Sequence, residues 1–185
     1  MKYAVMAALV AAVSACTTAP GASPSLSAPR QVVLDAEDEA ILKTVDMFLL
    51  AIGNHDAVML DELVIVEGVS WFQRAESGEL KAVEPFMNSG MIEPDEDADP
   101  FIERYWNPIV HKRGGLAQVW APYELRDNGE QVHCGIDAVD LVYLDGAWRI
   151  ASILSSLEVG SCDALGAGTA TDVRPRDGWK ETPNQ

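Results

Sequence analysis

Cysteine, basic residues and long apolar runs are all scarce in this sequence. Only three of its 185 residues are cysteine, too few for a disulfide-rich scaffold. Lysine and arginine total 13 against 29 aspartates and glutamates, which gives a net charge of −16 at pH 7. Phosphate backbones and anionic lipid surfaces both repel such a chain. We therefore predict no nucleic-acid partner, and we expect any membrane attachment to be covalent or inserted.

Recognisable catalytic and metal-binding motifs are also missing. The sequence contains no phosphate-binding glycine loop, no nucleophile elbow and no zinc-ligand spacing, so we predict no cofactor and no metal. An acidic run with Asp95, Asp97 and Asp99 begins like a calcium loop, but Pro100 and Trp106 occupy the positions that need glycine and glutamate. We interpret the run as a solvated loop.

The N-terminus has the pattern of an export signal. Lys2 is followed by eleven uncharged, mostly apolar residues, 3–13, a length that suits a signal peptide and is too short to span a bilayer. The residues up to Ala15 and Cys16 resemble the lipobox of bacterial lipoproteins, in which the cysteine is acylated. The resemblance implies a signal peptide over 1–15 and a lipid anchor on Cys16. An ordinary secretory signal cleaved near Ala15 is the alternative.

The segment after this signal is predicted to be a flexible tether. Residues 16–33 contain several prolines and serines and show no apolar periodicity. Thr17 stands where lipoproteins retained in the inner membrane carry aspartate. The lipoprotein resemblance therefore implies the outer membrane of the cell envelope, with the protein facing the periplasm.

Residues 34–160 predict one α+β domain that begins with two helices. Asp35 can cap the first helix, with Asp38 completing a capping box, and Gly53 is the candidate for its C-terminal cap. Asp56 can cap a second, short helix.

Strand and turn signals dominate the rest of the domain. Strands are predicted over 69–74 and 79–83, followed by an antiparallel meander over 103–158. Its hairpin turns are predicted at Arg113-Gly114, Asn128-Gly129 and Asp145-Gly146. The glycine- and alanine-rich tail, 161–185, is expected to be only partly ordered.

Four short segments resemble the nuclear transport factor 2-like superfamily. They are GNHD at 53–56, VWAPY at 119–123, HCGIDA at 133–138 and DGAWRI at 145–150. Bacterial members of this superfamily include SnoaL-like polyketide cyclases and ketosteroid-isomerase-like proteins, and the pattern is similar to the lumazine-binding-like subgroup. The resemblance implies a cone-shaped α+β fold, with N-terminal helices packed on a long, curved antiparallel sheet.

The predicted hairpins also place a pocket inside the cone. A two-residue turn fixes which residues face one another across a hairpin, and Trp148 and Ile150 are taken to face inward. A mostly apolar hollow with a few polar groups is suited to a small molecule. The residues predicted to line it are Trp71, Tyr105, Asn107, Trp120, His133, Asp137 and Leu154.

Asp137 is the deepest ionisable group in this arrangement. A carboxyl group against an indole ring should titrate high, which suits a general base, although a structural aspartate bound to backbone N–H groups is the alternative. His133 is predicted to lie between Glu124 and Glu158, which favours its protonated form. The resemblance to isomerases and cyclases would make Asp137 the base and Tyr105 or His133 the acid.

The opposite, convex face of the sheet is predicted to be apolar and to support a homodimer, as is common in the superfamily. Cys134 is assigned to the same face, and an oxidising periplasm would permit it to pair with Cys162. The spacing does not require this disulfide, so it is left open. The apolar residues assigned to the convex face are Val119, Ala121, Tyr123, Leu125, Ile136 and Val142.

Three classes of function are compatible with these features. The first is a lipid-anchored protein that binds a small, partly aromatic molecule in the pocket without catalysis. The second is an envelope scaffold or accessory protein whose pocket is filled by its own side chains. The third is an isomerase, cyclase or dehydratase that uses Asp137 as its base.

Lipid labelling in cells tests the anchor. We expect the protein to incorporate labelled palmitate and Cys16→Ser to abolish this incorporation, because the thiol is the group that would be acylated. Thr17→Ser, one residue further on, is the matched control and should label like the parent. Palmitate that remains on the Cys16→Ser protein would contradict the anchor.

Overall fold

A computed structural model describes residues 34–76, 78–93, 99–176 and 178. All of them belong to the second of the two units into which the chain divides, residues 32–185. The predicted signal peptide, the lipidation site Cys16, the tether and the acidic residues Asp95 and Asp97 lie outside the described residues. Within the described part, no helix is both long and apolar enough to cross a membrane.

Both predicted helix starts are confirmed. The first helix, α1, spans Ala36–Gly53; the Asp35 carboxylate accepts the backbone N–H of Asp38, and the Asp38 carboxylate accepts that of Asp35. The second helix, α2, spans Ala57–Leu63 and is capped by Asp56. The predicted C-cap is wrong by one residue: Asn54, rather than Gly53, caps α1.

The described residues form eight strands: β1 (Val69–Glu76), β2 (Glu79–Met87), β3 (Phe101–Trp106), β4 (Ile109–Arg113), β5 (Leu116–Asp127), β6 (Glu130–Leu144), β7 (Ala147–Val159) and β8 (Val173–Arg174). They form one sheet in the order β2-β1-β7-β6-β5-β3-β8, with β4 also paired to β5. The predicted antiparallel sheet needs one correction, because β1 pairs with β7 in parallel and makes the sheet mixed.

Two of the three hairpin turns form where they were predicted. Asn128-Gly129 and Asp145-Gly146 have positive φ at both residues, as a type I′ turn requires. The third turn lies one residue later than predicted, because Arg113 pairs with Leu116 and leaves two glycines between them.

Bulges then change the register away from these turns. The β5–β6 pairing shifts by one residue beyond Arg126, and the β6–β7 pairing shifts beyond Leu141. Beyond each shift, side chains that the unshifted register places on one face of the sheet lie on the other face. The predicted inner face is therefore correct along β6, at Asp137 and His133, and at the buried Trp148 and Ile150. It is wrong on β5 and on β7 beyond the bulge.

The helices pack on one face of the sheet, called here the inner face. Its core includes residues that the sequence prediction had placed on the convex face, namely Val119, Ala121, Tyr123 and Leu125. The other face, called here the outer face, carries a cross-strand row of apolar residues. The row runs through Pro85, Trp71, Leu154, Ala138, Trp120 and Ile109 on six neighbouring strands.

The segment after β7 continues the domain beyond residue 160, where the sequence prediction ended it. Cys162 forms a disulfide with Cys134, which answers the open question of pairing, and both cysteines pack with the buried Trp106. Strand β8 then pairs with β3, and Arg174 binds the Asp46 carboxylate on α1 at 2.8 Å.

Candidate functional site

A cavity of about 200 Å³ lies between α1 and the inner face of the sheet. Its walls are mostly apolar or aromatic, as expected for a site that takes a small molecule. The apolar lining residues are Phe48, Ile52, Phe72, Met91, Phe101, Leu125, Val139, Ile153 and Leu157. The polar lining residues are Glu103, Tyr123, His133, Asp137 and Ser155.

The carboxyl groups of Glu103 and Asp137 hydrogen-bond to each other at this cavity. Burial, and then the neighbouring Asp137 carboxyl, raises the pKa of Glu103 well above its ordinary value. Burial also raises the pKa of Asp137 to about 6, although hydrogen bonds from Ser155 and Glu103 oppose the rise. Above pH 6 Asp137 therefore carries the negative charge of the pair, and Glu103 is the partner that favours keeping the proton.

The Tyr123 hydroxyl joins a second set of polar groups beside this pair. It donates to the carbonyl of Ser156 at 3.1 Å, and its oxygen lies 3.1 Å from Nε2 of His133 and 3.3 Å from the Ser155 hydroxyl. Burial raises the pKa of Tyr123, and the negative charge near Asp137 adds to the rise. Tyr123 is therefore protonated at any physiological pH.

Gly135 is required for this arrangement. A β-carbon added at Gly135 would lie 1.6 Å from the Ser156 carbonyl oxygen and 2.8 Å from Cε1 of Tyr123. Only a residue without a side chain lets the Tyr123 ring cross β6 and reach its partners on β7.

His133 lines the cavity as predicted, but its surroundings and charge differ from the prediction. Glu124 lies on the outer face, where Arg104 and Gln131 bind its carboxylate, and Glu158 accepts from Ser156. Burial, and then the charge of Arg74, lowers the pKa of His133. The imidazole is therefore neutral at pH 7 rather than protonated.

Of the seven predicted pocket residues, only Asp137 and His133 line the cavity. Tyr105 is on the inner face, but its hydroxyl donates to Asp46 at 2.7 Å and does not line the cavity. Asn107 follows β3 in an exposed turn with φ 47°. The other three are on the outer face: Trp71, Trp120 and Leu154 are 44%, 46% and 48% exposed. The bulges account for Trp120 and Leu154, and Trp71 pairs with Leu154 on the same face.

Three polar residues of the site were missed by the sequence reasoning. Tyr123 was assigned to the wrong face, and Glu103 and Ser155 were not singled out. One usable signal for Glu103 was its position between Phe101 and Tyr105, since a carboxylate between aromatic residues on one face of a strand is unusual for a solvated position.

The residues that the structure describes contain no group of three potential ligands that could hold a metal ion.

Comparison with solved structures shows the nuclear transport factor 2-like fold. Such a protein from Cytophaga hutchinsonii is 17% identical, covers 67% of this chain and 99% of its own, and has a TM-score of 0.50. A superfamily protein from Salmonella enterica is 17% identical over 72% of this chain and 96% of its own, with a TM-score of 0.50. A protein of unknown function from Mycobacterium tuberculosis is 15% identical over 73% of this chain and 80% of its own, with a TM-score of 0.51.

The particular protein family is not defined by these comparisons. No family model and no curated protein matches the chain. Structural likeness at this level of identity establishes the fold alone, and a fold of this kind hosts many functions. Arguments about function therefore depend on the cavity and its polar groups.

The buried charge of Asp137 should make the protein less stable as pH rises. The unfolded chain loses this proton near pH 3.8 and the folded chain near pH 6, so the folded state binds more protons between these values. The contribution of Asp137 to stability should therefore fall between pH 4 and 6 by up to about 3 kcal/mol and then level off. Asp137→Asn should reduce this fall and equal or exceed the parent in stability at pH 7.

Urea unfolding at pH 4, 5, 6 and 7 measures this effect. Asp140→Asn is the matched control, because Asp140 is on the same strand but on the outer face, where Gln118 and Ser152 bind it. The Asp140→Asn control should show the same decrease in the free energy of unfolding with rising pH as the parent. A clear loss of stability in Asp137→Asn at pH 7 would show that the aspartate acts instead as a structural acceptor.

Proposed function

We propose that this domain binds a small, largely apolar and partly aromatic molecule in the cavity beneath α1. The observation that carries the proposal is an interior space of about 200 Å³ with aromatic walls and one polar end. A dry cavity of about 150 Å³ accepts benzene, whereas drug-sized ligands need roughly 300–1,000 Å³. The size therefore favours a single ring with one or two substituents over a steroid.

The polar groups at one end of the cavity would fix the orientation of a bound ligand. Glu103 and Asp137 present a shared proton and a negative charge, while Tyr123 and Ser155 present hydroxyl groups next to them. A few convergent polar groups in an apolar site fix how a ligand is held. An open space of this size also argues against a pocket filled by the protein's own side chains.

Catalysis is the second candidate, and the carboxyl pair favours it. A carboxyl group with a pKa of about 6 can take and return protons near neutral pH, which suits a general base such as Asp137. Glu103 would be the acid, since Tyr105 is engaged with Asp46 and His133 is neutral. Binding needs fewer assumptions, so we place it first.

The disulfide between Cys134 and Cys162 indicates a location outside the cytoplasm, because such bonds persist in oxidising compartments. We further propose that the chain is held in the cell envelope by a lipid on Cys16. The lipobox-like residues before Cys16 support this anchor, and Thr17 supports the outer membrane.

We also propose that the protein is a homodimer formed through the outer face. The apolar row through Trp71, Leu154 and Trp120 is about half exposed, more than a solvated sheet usually leaves uncovered. Among the residues of the groove that surrounds this row, Glu158 is the one charged residue. Two strongly acidic chains repel each other, so an apolar groove with a single charged residue is where they could meet.

Ligand binding is tested with single-ring compounds and a filled cavity. We expect phenol and toluene to shift the methyl NMR signals of Ile153 and Leu157, which line the cavity. Val139→Phe should abolish these shifts because the added ring occupies the same space. Val58→Phe, at a position 77% exposed on α2, is the control and should keep them. Binding that survives Val139→Phe would contradict the cavity as the site.

The dimer is tested by light scattering on the purified Cys16→Ser chain. We expect twice the monomer mass at high micromolar concentration. Trp120→Glu should give a folded monomer, since it places a charge within the apolar row, while Val58→Glu should remain a dimer. A monomeric parent chain would contradict this interface.

A further inference from the structure

We propose that the ligand of the cavity is a small organic cation: a compact apolar ring carrying a positively charged group with several N–H donors. This inference rests on the proposed binding function and specifies its ligand. It is carried by the chemistry of the cavity lining, which contains the carboxyl groups of Glu103 and Asp137 but neither lysine nor arginine.

Comparison with the other buried acids shows that Asp137 lacks a positively charged partner. Three acidic residues of the described chain are buried: Asp38, Glu124 and Asp137. Asp38 contacts the Lys112 ammonium at 2.8 Å, and Glu124 contacts the Arg104 guanidinium. Asp137 has no such ion pair within the described residues, although burying an unpaired charge is costly.

Within the described residues, no group that lines the cavity supplies the missing positive charge. The residues of α1 that face the cavity, Phe48 and Ile52, are apolar, as is Phe72 on β1. His133 is neutral at pH 7, because burial and then Arg74 lower its pKa. Arg74 itself is exposed and does not line the cavity.

The other described strands add only acidic and neutral side chains to the cavity lining. Strand β5 contributes Tyr123 and β7 contributes Ser155, while Glu158 lies beyond Ser156 and adds negative charge near Tyr123. A cationic ligand would therefore find a net negative site with hydroxyl acceptors around it. An amidinium or ammonium group suits it, because charge-assisted N–H···O bonds to a carboxylate are about twice as strong as neutral ones.

The aromatic walls suit the rest of the ligand. Phe48, Phe72 and Phe101 surround the space around the carboxyl pair. Ring faces attract cations and pack against other rings, so the same walls favour an aromatic body and its charged group. A carboxylate ligand would meet repulsion from Asp137 and no compensating cation.

Three probes of equal size separate charge from shape. Benzamidine, benzamide and benzoate share one ring and differ in carrying a positive, neutral or negative substituent. By calorimetric titration of the purified full chain at pH 7.5, we expect benzamidine to bind at least about tenfold more tightly than benzamide, and benzoate not to bind. Between pH 7 and pH 5 the benzamidine affinity should fall about tenfold as the pair becomes neutral, while that of benzamide should change little.

Two variants and their matched controls test whether the preference for benzamidine comes from the carboxyl pair. Glu103→Gln and Asp137→Asn should remove most of the advantage of benzamidine over benzamide, since each alters the shared charge. Glu130→Gln, at the exposed start of β6, and Asp140→Asn, on the outer face of the same strand, should retain it. Circular dichroism checks that each variant is folded.

The outcomes also separate this inference from the proposed function. Benzamide or benzoate binding as tightly as benzamidine would overturn the cationic ligand and leave a ligand-binding cavity. A preference for benzamidine that survives both Glu103→Gln and Asp137→Asn would overturn it as well. Failure of all three probes, together with phenol and toluene, would overturn the binding function itself.

Discussion

The packing of α1 on the sheet is the interaction on which the rest of this structure depends. Ile41, Leu42, Val45, Phe48 and Leu49 lie on one side of the helix and are buried against strands β3 to β7. Burial of this apolar stripe decides which face of each strand becomes interior, since apolar surface leaves water only on that side. The cavity lies where this packing is incomplete, near the end of α1. There the helix covers two carboxyl groups and gives the protein its most unusual chemical feature.

Local signals in the sequence were sufficient for the helices and most turns. Asp35 and Asp56 act as caps through contacts within three residues, and Asn128-Gly129 adopts a turn that few other pairs favour. The faces of the long strands could not be predicted in the same way. They depend on bulges beyond Arg126 and Leu141. The residue types at these positions do not indicate that the facing strand contains an extra residue.

The candidate site was predictable only in part, for the same reason. Asp137 and His133 were found because β6 could be counted from its own hairpin and both are polar. Their actual neighbours come from three other strands, so the two unpredicted register shifts replaced Tyr123 and Ser155 with Trp120 and Leu154. The predicted high pKa of Asp137 agrees in direction with the structure, but burial beneath α1, rather than contact with an indole, is its cause.

The segment after β7 also covers part of one edge of the sheet. It starts at the disulfide of Cys162 on the outer face, pairs with the edge strand β3 as β8, and ends at the Asp46 side of α1. An uncovered edge strand can recruit strands from other molecules and begin aggregation. The opposite edge, β2, carries Pro85, which has no backbone N–H to donate, and the charged Lys81. Molecules at high local concentration would thus be discouraged from joining edge to edge into fibrils.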